Sequence, residues 1–383
     1  MIEIIDKSEC CGCHACYSVC PKNAIKMIED EKGFKIPKIN KELCINCGKC
    51  DKVCPIKNTI NVENKPVAYA AYNKDEDTRL NSSSGGIFSL LAEYILNLNG
   101  VVFGAKFNEK FEVVHDYITK KEDIQKFRGS KYVQSVIGNS YKDAKIFLEE
   151  GKYVLFTGTP CQIEGLLKYL NKDYDKLYTQ DIICHGVPSP KVWNKYLKYR
   201  QNIDNAKIEN VEFRNKKYSN WENYEVCFKY EKEIYHVNHN KDSYMKAFLR
   251  DASLRDSCYA CKFKSINRAS DVLLADFWGI NNLMPDFNDK KGLNLLIVNT
   301  TKGENLIKNI DHLIEKRKVD VNQAIKYNKS CVESCKIPKM RETFFENINE
   351  NNFEKVTEKF TVKSSKSFIK RALRKLKKIM LKK

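Results

Sequence analysis

The sequence lacks any uninterrupted apolar run of about 18 residues, the length that a membrane-spanning helix requires. We also expect no signal peptide, because residues 1–6 provide neither a basic start nor a long apolar segment. The expected location is therefore the cytoplasm. The 383 residues, of which 42% are hydrophobic, are enough for two or three globular domains.

Acidic residues are missing from residues 363–383, which contain ten lysines or arginines and thus more than half of the formal net charge of +18. The rest of the chain is only mildly basic, so we expect no nucleic-acid partner. Apolar residues from Phe368 to Met380 recur at helical spacing, with basic residues on the opposite side. Residues 346–383 are therefore predicted to form a basic amphipathic helical tail. Such a tail could contact the inner face of a membrane peripherally, or it could stay solvated.

Cysteine, in contrast, is abundant: there are 16, and nine of them lie within residues 10–54. In a protein that is not exported, such a concentration indicates metal binding rather than disulfides. The spacing C-x2-C-x2-C-x3-C-P occurs twice, at Cys10, Cys13, Cys16, Cys20 and Pro21, and at Cys44, Cys47, Cys50, Cys54 and Pro55. This pattern is typical of a two-cluster 4Fe-4S ferredoxin. Structural zinc sites use isolated cysteine pairs and rarely repeat this motif.

The repeat also predicts which cysteines share a cluster. Three thiolates of each motif reach one cluster from a tight loop, and the fourth reaches the other cluster. One cluster is therefore expected on Cys10, Cys13, Cys16 and Cys54, and the other on Cys44, Cys47, Cys50 and Cys20. Cys11 falls outside the pattern and is interpreted as a bystander. Residues 1–60 are thus predicted to form a two-cluster 4Fe-4S ferredoxin domain that transfers electrons.

After a short linker at 61–66, the apolar patterns predict an α/β region. Strands are expected at Val67–Tyr72, Val101–Phe107, Val113–Ile118, Tyr153–Phe156, Leu177–Ile183, Val272–Ala275 and Leu293–Asn299, with further β-structure at 207–239. Helices are expected at Ile87–Leu98 and Gln162–Leu170, and the chain is expected to turn helical from Gly303 onward. The predicted fold class combines α+β and α/β. An N-terminal bacterial-type two-cluster ferredoxin fold precedes a mixed α/β domain at 67–345, with parts 67–150 and 151–345, and the helical tail.

Four later cysteines fall in positions that indicate a second site. Cys161 and Cys184 each follow a predicted strand, and Cys258 and Cys261 form a compact pair. If the two strands are parallel and joined by a helix, both cysteines lie at the carboxyl edge of the sheet, where α/β proteins bind ligands. The four thiolates could bind a third 4Fe-4S cluster; alternatively they are buried apolar side chains, or the pair binds zinc. The remaining cysteines lack evident partners and are expected to be ordinary thiols: Cys227, Cys331 and Cys335.

Several short motifs occur in a characteristic order along the chain. They are Ser83–Gly86, Gly129–Ser135, Thr157–Ile163, Asp181–Gly186, and the pair Cys258 and Cys261 followed by Ala275–Gly279. Together with the N-terminal cysteine repeat, these motifs resemble the beta subunit family of coenzyme F420 hydrogenases and dehydrogenases, with a fused two-cluster ferredoxin. The resemblance covers roughly residues 1–320.

The resemblance implies a flavin, either FAD or FMN, together with the third 4Fe-4S cluster and hydride exchange with a deazaflavin. The implied cofactor-binding residues are Ser83, Ser84, Gly85, Gly86, Lys131, Thr157, Gly158 and Thr159. The Ser82–Gly86 turn precedes a helix, so its N–H groups could meet a phosphate or the anionic edge of a flavin ring; it could also be a plain helix cap. Lys131 could donate to the flavin or to an acidic substrate, or it could be a solvated surface lysine. His185 and Asp276 could be structural or catalytic.

The leading hypothesis is an iron–sulfur flavoprotein oxidoreductase. It would pass electrons between the ferredoxin module and a small-molecule acceptor or donor, with a redox partner protein or ferredoxin. The composition, rich in lysine, asparagine and isoleucine, resembles that of a low-GC anaerobic bacterium and argues against a deazaflavin substrate. Two alternatives stay open. The chain could be an electron-transfer subunit without a substrate of its own, or it could serve a reductive step in surface polysaccharide biosynthesis.

Overall fold

The computed structural model describes residues 2–4 and 6–361, so the predicted tail segment 363–383 lies outside the described residues. Within this part of the chain the strands are, in order, β1 (Ile25–Glu29), β2 (Lys35–Ile39), β3 (Val67–Asn73), β4 (Val101–Phe107), β5 (Val113–Ile118), β6 (Val154–Thr157), β7 (Leu177–Ile182), β8 (Ile208–Asn215), β9 (Glu225–Tyr230), β10 (Ile234–Asn238), β11 (Val272–Asp276), β12 (Asn294–Val298) and β13 (Ile314–Val319). The α-helices are α1 (Ala15–Val19), α2 (Lys49–Lys52), α3 (Glu76–Leu80), α4 (Ile87–Asn97), α5 (Ser140–Glu149), α6 (Pro160–Leu170), α7 (Pro190–Asp204), α8 (Ser243–Leu249), α9 (Ile280–Leu283), α10 (Thr301–Ile310), α11 (Val321–Ile325), α12 (Arg341–Asn347) and α13 (Phe353–Thr361). None of the described helices is long and apolar enough to cross a membrane.

The N-terminal cysteine-rich module consists of the β1–β2 hairpin and the short helices α1 and α2. The hairpin is antiparallel, with Ile25 opposite Ile39. The module shares a buried apolar core with the α/β region, because Ala15 of α1 belongs to the same cluster as Ile163 and Leu166 of α6. The module is thus attached to the rest of the protein by packing as well as by the chain that follows it.

An eight-stranded mixed sheet forms the centre of the α/β region, in the order β13-β3-β12-β11-β7-β6-β4-β5. The four strands β4, β6, β7 and β11 are parallel neighbours, and β5 and β12 flank them in antiparallel pairs. The predicted parallel pair that precedes Cys161 and Cys184 is confirmed, with Val154 opposite Leu177. The carboxyl ends of the parallel strands therefore meet at one edge, where side chains from distant segments come together.

The strand β13 differs from the sequence-based expectation, which made the chain helical from Gly303 onward. Helix α10 does begin there, but Ile314–Val319 then pairs antiparallel with β3. This strand lies at the edge of the sheet and buries only its two terminal residues, Ile314 and Val319. Because four charged residues separate those two apolar ones, the segment lacks the alternation by which a strand is recognised.

Helices cover both faces of the sheet, since alternate strand residues point to opposite sides. Leu155 of β6 packs with α4 and α10, whereas its neighbours Val154 and Phe156 pack with α5 and α6. A second, largely aromatic core joins the three-stranded sheet β10-β9-β8 to α7 and α8. Phe353 of α13 is fully buried in this core, so the described part of the range 346–383 includes a helix that packs against the body of the protein.

Candidate functional site

The two N-terminal cysteine repeats fold so that their fourth cysteines cross over. Cys20 of the first repeat lines the same pocket as Cys44, Cys47 and Cys50 of the second repeat. On the other side, burial and then the neighbouring Cys10 and Cys54 raise the pKa of the Cys16 thiol. Each set therefore combines cysteines of both repeats, in the arrangement that the spacing predicts. Below, the first set is Cys10, Cys13, Cys16 and Cys54, and the second set is Cys20, Cys44, Cys47 and Cys50.

A buried arginine attaches the first set to the α/β region. Arg255 is only 2% exposed, and its Nε donates to the backbone oxygen of Cys10 at 2.6 Å. Its Nη1 donates to Gln134 Oε1 at 2.9 Å, and Gln134 Nε2 donates to the backbone oxygen of Cys11 at 3.0 Å. Gly12 has φ +68°, and a Cβ there would lie 2.8 Å from Arg255 Nη1, so a glycine is needed for this close approach. The cysteine loop is therefore held against a buried positive charge.

The four later cysteines line one pocket at the carboxyl edge of the sheet. Cys161 lies in the first turn of α6, directly after β6, and Cys184 follows β7. Cys258 lies within a short 3-10 turn, and Cys261 follows that turn. The fold thus brings together four thiols from three separate segments, called the third set below.

Two cations accompany the third set. Burial raises the pKa of the Cys184 thiol to about 12, and the positive charge of Lys264 and, more weakly, that of Arg268 oppose this rise. Arg268 is 4% exposed and forms an ion pair with the buried carboxylate of Asp181 at 3.4 Å. A 4Fe-4S cluster with four thiolates carries a net negative charge, which these two cations would offset. The donors and the charges of the pocket therefore fit a 4Fe-4S cluster.

Cys11 lies between the first and third sets. Its thiol lies next to the thiols of Cys13 and Cys161, and it lines the pocket of the third set. The cysteine spacing alone sets Cys11 aside, because it indicates only which residues belong to the repeat. Its proximity to Cys161 depends on how the module packs against α6. A local sequence pattern cannot predict this packing.

A cavity of about 690 Å³ shares Cys184 and His185 with the pocket of the third set. Its lining contains seven of the eight cofactor-binding residues that the family resemblance implies: Ser83, Ser84, Gly86, Lys131, Thr157, Gly158 and Thr159. The eighth, Gly85, is turned toward the sheet, where an added Cβ would lie 2.6 Å from the backbone oxygen of Ala71. The volume is in the range of cavities that hold organic cofactors and substrates.

The Ser82–Gly86 turn forms one wall of this cavity and leads into α4. Gly86 has φ +80° and precedes the helix without a side-chain cap. Ser83 Oγ accepts hydrogen bonds from the backbone N–H of Ser130 at 2.8 Å and from the Ser130 hydroxyl at 3.0 Å. Two cavity-lining turns are thereby tied together. The first turn of α4, with its partial positive charge, borders the cavity through Gly86 and Ile87.

Lys131 is half-buried and lines the cavity, with its side-chain nitrogen bound to the backbone. Its Nζ donates to the backbone oxygens of Lys126 at 3.0 Å and Arg128 at 3.1 Å. Burial lowers the pKa of Lys131 to about 7. The charge of this side chain near neutral pH is therefore sensitive to what the cavity contains, because a bound anion favours the ammonium form.

The cavity also contains a polar network around His115 that the sequence analysis missed. His115 Nε2 donates to the backbone oxygen of Thr157 at 3.0 Å, and its Nδ1 accepts from the Ser135 hydroxyl at 2.8 Å. Ser135 Oγ in turn accepts from Gln162 Nε2 at 2.9 Å. Burial lowers the pKa of His115 to about 4, so the ring is neutral and its proton is on Nε2. A single histidine in an edge strand carries no signal that could have revealed this network.

Asp276, whose role the sequence left open, forms an ion pair with Arg214. The Arg214 side chain is only 3% exposed, donates from Nη2 to the backbone oxygen of Trp221 at 3.1 Å, and stacks over the ring of Tyr224 at 4.1 Å. Both members of the pair line the cavity. The carboxylate of Asp276 therefore holds a buried guanidinium in the cavity wall.

Comparisons with known proteins identify relatives of each region. Models of the coenzyme F420 hydrogenase/dehydrogenase beta subunit match residues 68–140 with their N-terminal part and residues 151–326 with their C-terminus. A 4Fe-4S dicluster domain matches residues 9–58. No curated protein matches the chain. A similar solved structure is the xenon-derivatised F420-reducing (NiFe) hydrogenase complex from Methanosarcina barkeri, with 16% identity, a TM-score of 0.49, and coverage of 75% of this chain and 93% of that chain.

The two beta-subunit matches together span more than half of the chain and include the Ser83–Gly86, Thr157–Ile163 and Asp181–Gly186 motifs. The dicluster match contains both cysteine repeats, which makes the N-terminal module an iron–sulfur electron-transfer domain. The chain therefore belongs to the coenzyme F420 hydrogenase/dehydrogenase beta subunit family of oxidoreductases, with an N-terminal 4Fe-4S dicluster domain.

Proposed function

We propose that this chain is an iron–sulfur flavoprotein oxidoreductase that passes electrons between its two-cluster module and a hydride-exchanging site in the cavity. The position of Cys184 carries the proposal, because this residue lines both the pocket of the third set and the cavity. Cys11 supports it in the same way, since its thiol contacts Cys13 of the first set and Cys161 of the third. Cysteine side chains therefore form a continuous series from the module to the cavity.

In this proposal each of the three cysteine sets holds one 4Fe-4S cluster. Such clusters, when bound, supply one-electron transfer. The protein's own contribution is to hold the thiolates and to set the local charge. Arg255 lies against the loop of the first set, and Lys264 and Arg268 lie beside the third. These positive charges, of which Arg255 and Arg268 are buried, favour the more negative, reduced state of a neighbouring cluster.

We assign the cavity to a flavin, FAD or FMN, together with an organic substrate. A flavin, when bound, exchanges single electrons on one side and a hydride on the other. The first turn of α4 and the hydroxyl of Ser83, which accepts two hydrogen bonds from Ser130 and keeps its own proton, offer donors to a phosphate or to the ring. The neutral His115 network holds Thr157 and Gln162 in place, which positions the Thr157–Thr159 loop at the cavity wall. Lys131 provides a cation that can meet an acidic substrate or cofactor group.

We further propose that the second set exchanges electrons with an acidic redox partner such as a ferredoxin. Cys47 is exposed, whereas all cysteines of the first set are buried. Lys22 and Lys49 line the pocket of the second set, and the exposed Leu43 and Ile45 flank Cys44 in the sequence. Apolar side chains surrounded by lysines suit the docking of a small acidic electron carrier.

The test is to purify the full-length protein without oxygen and to determine iron, sulfide and flavin in one sample. We expect about twelve irons, a matching amount of sulfide and about one flavin per chain. Photoreduction of the flavin should bleach the absorbance of the clusters. Cys258→Ser should remove about four irons and block this transfer, whereas Cys227→Ser, in the strand β9 away from all three sets, should change neither.

Two results would refute the proposal. Zinc in place of iron, without acid-labile sulfide, would remove the electron path altogether. Three clusters without flavin binding at micromolar concentration would support an electron-transfer subunit that has no substrate of its own.

A further inference from the structure

His185, Asp251 and Cys335 meet in a group that belongs to none of the three cysteine sets. One potential ligand atom from each residue lies within 4.8 Å of the other two. His185 Nε2 is 2.6 Å from Asp251 Oδ1 and 3.5 Å from Cys335 Sγ. The residues come from the loop after β7, the turn after α8 and the irregular segment 332–340. Three segments that are distant in sequence therefore present a nitrogen, an oxygen and a sulfur donor to one point.

The second nitrogen of His185 is already engaged. His185 Nδ1 lies 3.3 Å from Ser330 Oγ, which leaves Nε2 to face the carboxylate of Asp251. The Cys335 thiol lies beside the ring and donates to the backbone oxygen of His185 at 3.1 Å. A histidine that binds a metal through one nitrogen usually has its other nitrogen oriented by such a partner. Asp251 is equally constrained, since its φ is +62° and its backbone N–H donates to the oxygen of Phe248 at 2.9 Å. The histidine ring and the backbone of Asp251 are thus held by contacts outside the group itself.

We propose that His185, Asp251 and Cys335 bind one zinc ion, separate from the iron–sulfur sites. A mixed set of one nitrogen, one oxygen and one sulfur ligand is typical of zinc, which needs only a water or one further ligand to complete a tetrahedron. Bond lengths of about 2.0–2.3 Å place tetrahedral ligand atoms roughly 3.3–3.5 Å apart. The Cys335 sulfur lies 3.5 Å from Nε2 and 3.8 Å from Nδ1, beside the ring, so the thiol must turn toward the ion that Nε2 binds. The nitrogen–oxygen pair must open by about 0.7 Å, which side chains that are 35% and 25% exposed can accommodate.

The ion would hold the segment 326–340 in place beside the third set and the cavity. Residues 326–330 line the cavity, and Cys335 lies in the irregular segment that follows. The same segment is held at two more points: Ser330 O accepts from Lys264 Nζ at 2.7 Å, and Ser334 Oγ accepts from the backbone N–H of Cys261 at 3.1 Å. Because zinc has no redox chemistry, its role here is to hold the cavity wall and the cluster loop together rather than to carry electrons.

The experiment measures zinc and iron in the full-length protein, purified without oxygen, incubated with micromolar zinc chloride and desalted. We expect about one zinc per chain, and X-ray absorption at the zinc edge should show one sulfur neighbour with nitrogen or oxygen in the other positions. Cys335→Ser and Asp251→Asn should each lower the zinc content at least fivefold and leave iron unchanged. Asp251→Asn keeps the shape of the side chain and tolerates the positive φ, so its fold should be retained. Cys227→Ser is the matched control and should keep both metals.

Three outcomes would overturn the proposal. The wild-type protein could retain no zinc after desalting. The zinc could show four sulfur neighbours, which would mean that it occupies a cysteine set instead. Cys335→Ser could lose iron rather than zinc, which would make Cys335 a cluster ligand.

Discussion

The N-terminal module and the third set both bring cysteines together, but those of the module are close in sequence and those of the third set are far apart. In the module, each repeat supplies its thiols from one short loop, at residues 10–20 or 44–54. In the third set, Cys161 and Cys184 meet because β6 and β7 are parallel neighbours, and Cys258 and Cys261 join them because Leu254 pairs with Pro188 in the loop after β7. The module can therefore form its sites from local spacing, whereas the third set requires the complete sheet.

The two regions also differ in exposure and charge. The second set opens to solvent at Cys47 among exposed lysines, whereas the cysteines of the third set are all half-buried, with the half-buried Lys264 and the buried Arg268 beside them. A local site can lie at the surface and meet a partner protein. The assembled site lies half-buried at the edge of the sheet, where Cys184 borders the adjoining cavity. The four predictions below test this division, from the largest expected effect to the smallest.

Cys20→Ser should show whether the fourth cysteine of the first repeat belongs to the cluster of the second repeat. Because Cys20 shares its pocket with the cysteines of the second repeat, the variant should lose about four irons from the second set and none from its sequence neighbours Cys10, Cys13 and Cys16. Iron analysis and electron paramagnetic resonance of the reduced protein measure this. Cys227→Ser is the control. Loss of the first-set signal instead would show that each repeat binds its own cluster without crossing over.

Gly85→Ala should damage the assembled region and spare the module. The added Cβ would lie 2.6 Å from the backbone oxygen of Ala71 and 2.8 Å from the backbone nitrogen of Asn294, so the turn that borders the cavity must shift. We expect a loss of about 1–3 kcal/mol in the free energy of unfolding and a roughly tenfold weaker flavin affinity.

Denaturant titration and flavin titration measure the two effects of Gly85→Ala, and the iron bound by residues 1–60 should not change. Gly138→Ala controls for a general loss of stability, because Gly138 has φ +56°, which strains an alanine there, but an added Cβ would meet nothing within 4 Å and lies away from the cavity lining. Equal flavin affinity in Gly85→Ala and wild type would contradict the placement of the cofactor beside this turn.

Reversing the charge of Lys22 and Lys49 should affect only electron exchange at the second set, which lies at the surface. With both changed to glutamate, the rate of reduction by a small acidic ferredoxin at low ionic strength should fall about tenfold, and its dependence on salt should flatten. Stopped-flow absorbance measures the rate. Lys207→Glu, an exposed lysine between α7 and β8, should leave it unchanged. An unaltered rate in the double variant would place partner docking elsewhere.

The pH dependence of ligand binding should report on Lys131. Its pKa is lowered to about 7, so the side chain is charged below this pH and loses its charge as the pH rises through it. An anionic ligand in the cavity should therefore bind several-fold more weakly at pH 8 than at pH 6. Titration of FMN across this range measures the effect, and Lys131→Met should abolish it. A pH dependence that survives in Lys131→Met belongs to another group.

The secondary structure shows how far local patterns extend. Residues Val101–Phe107 and Val113–Ile118 form strands with the predicted bounds, because their apolar runs end in polar turns. The edge strand β13 was not predicted, since an edge strand exposes most of its residues and its sequence resembles a polar helix or loop. Local patterns thus identify elements that bury a face and miss those that only extend the sheet.

The sequence by itself determined the N-terminal iron–sulfur motif and the family, because both depend on residue types at short, regular spacing. It also placed Cys161 and Cys184 after two strands, whose parallel pairing the structure confirms. Only the tertiary structure decided which distant side chains touch: Cys11 with Cys161, His115 with Thr157, and His185 with Asp251 and Cys335. Each of these contacts joins segments that are far apart in the chain. Their proximity results from strand order and helix packing, which no single stretch of sequence is enough to predict.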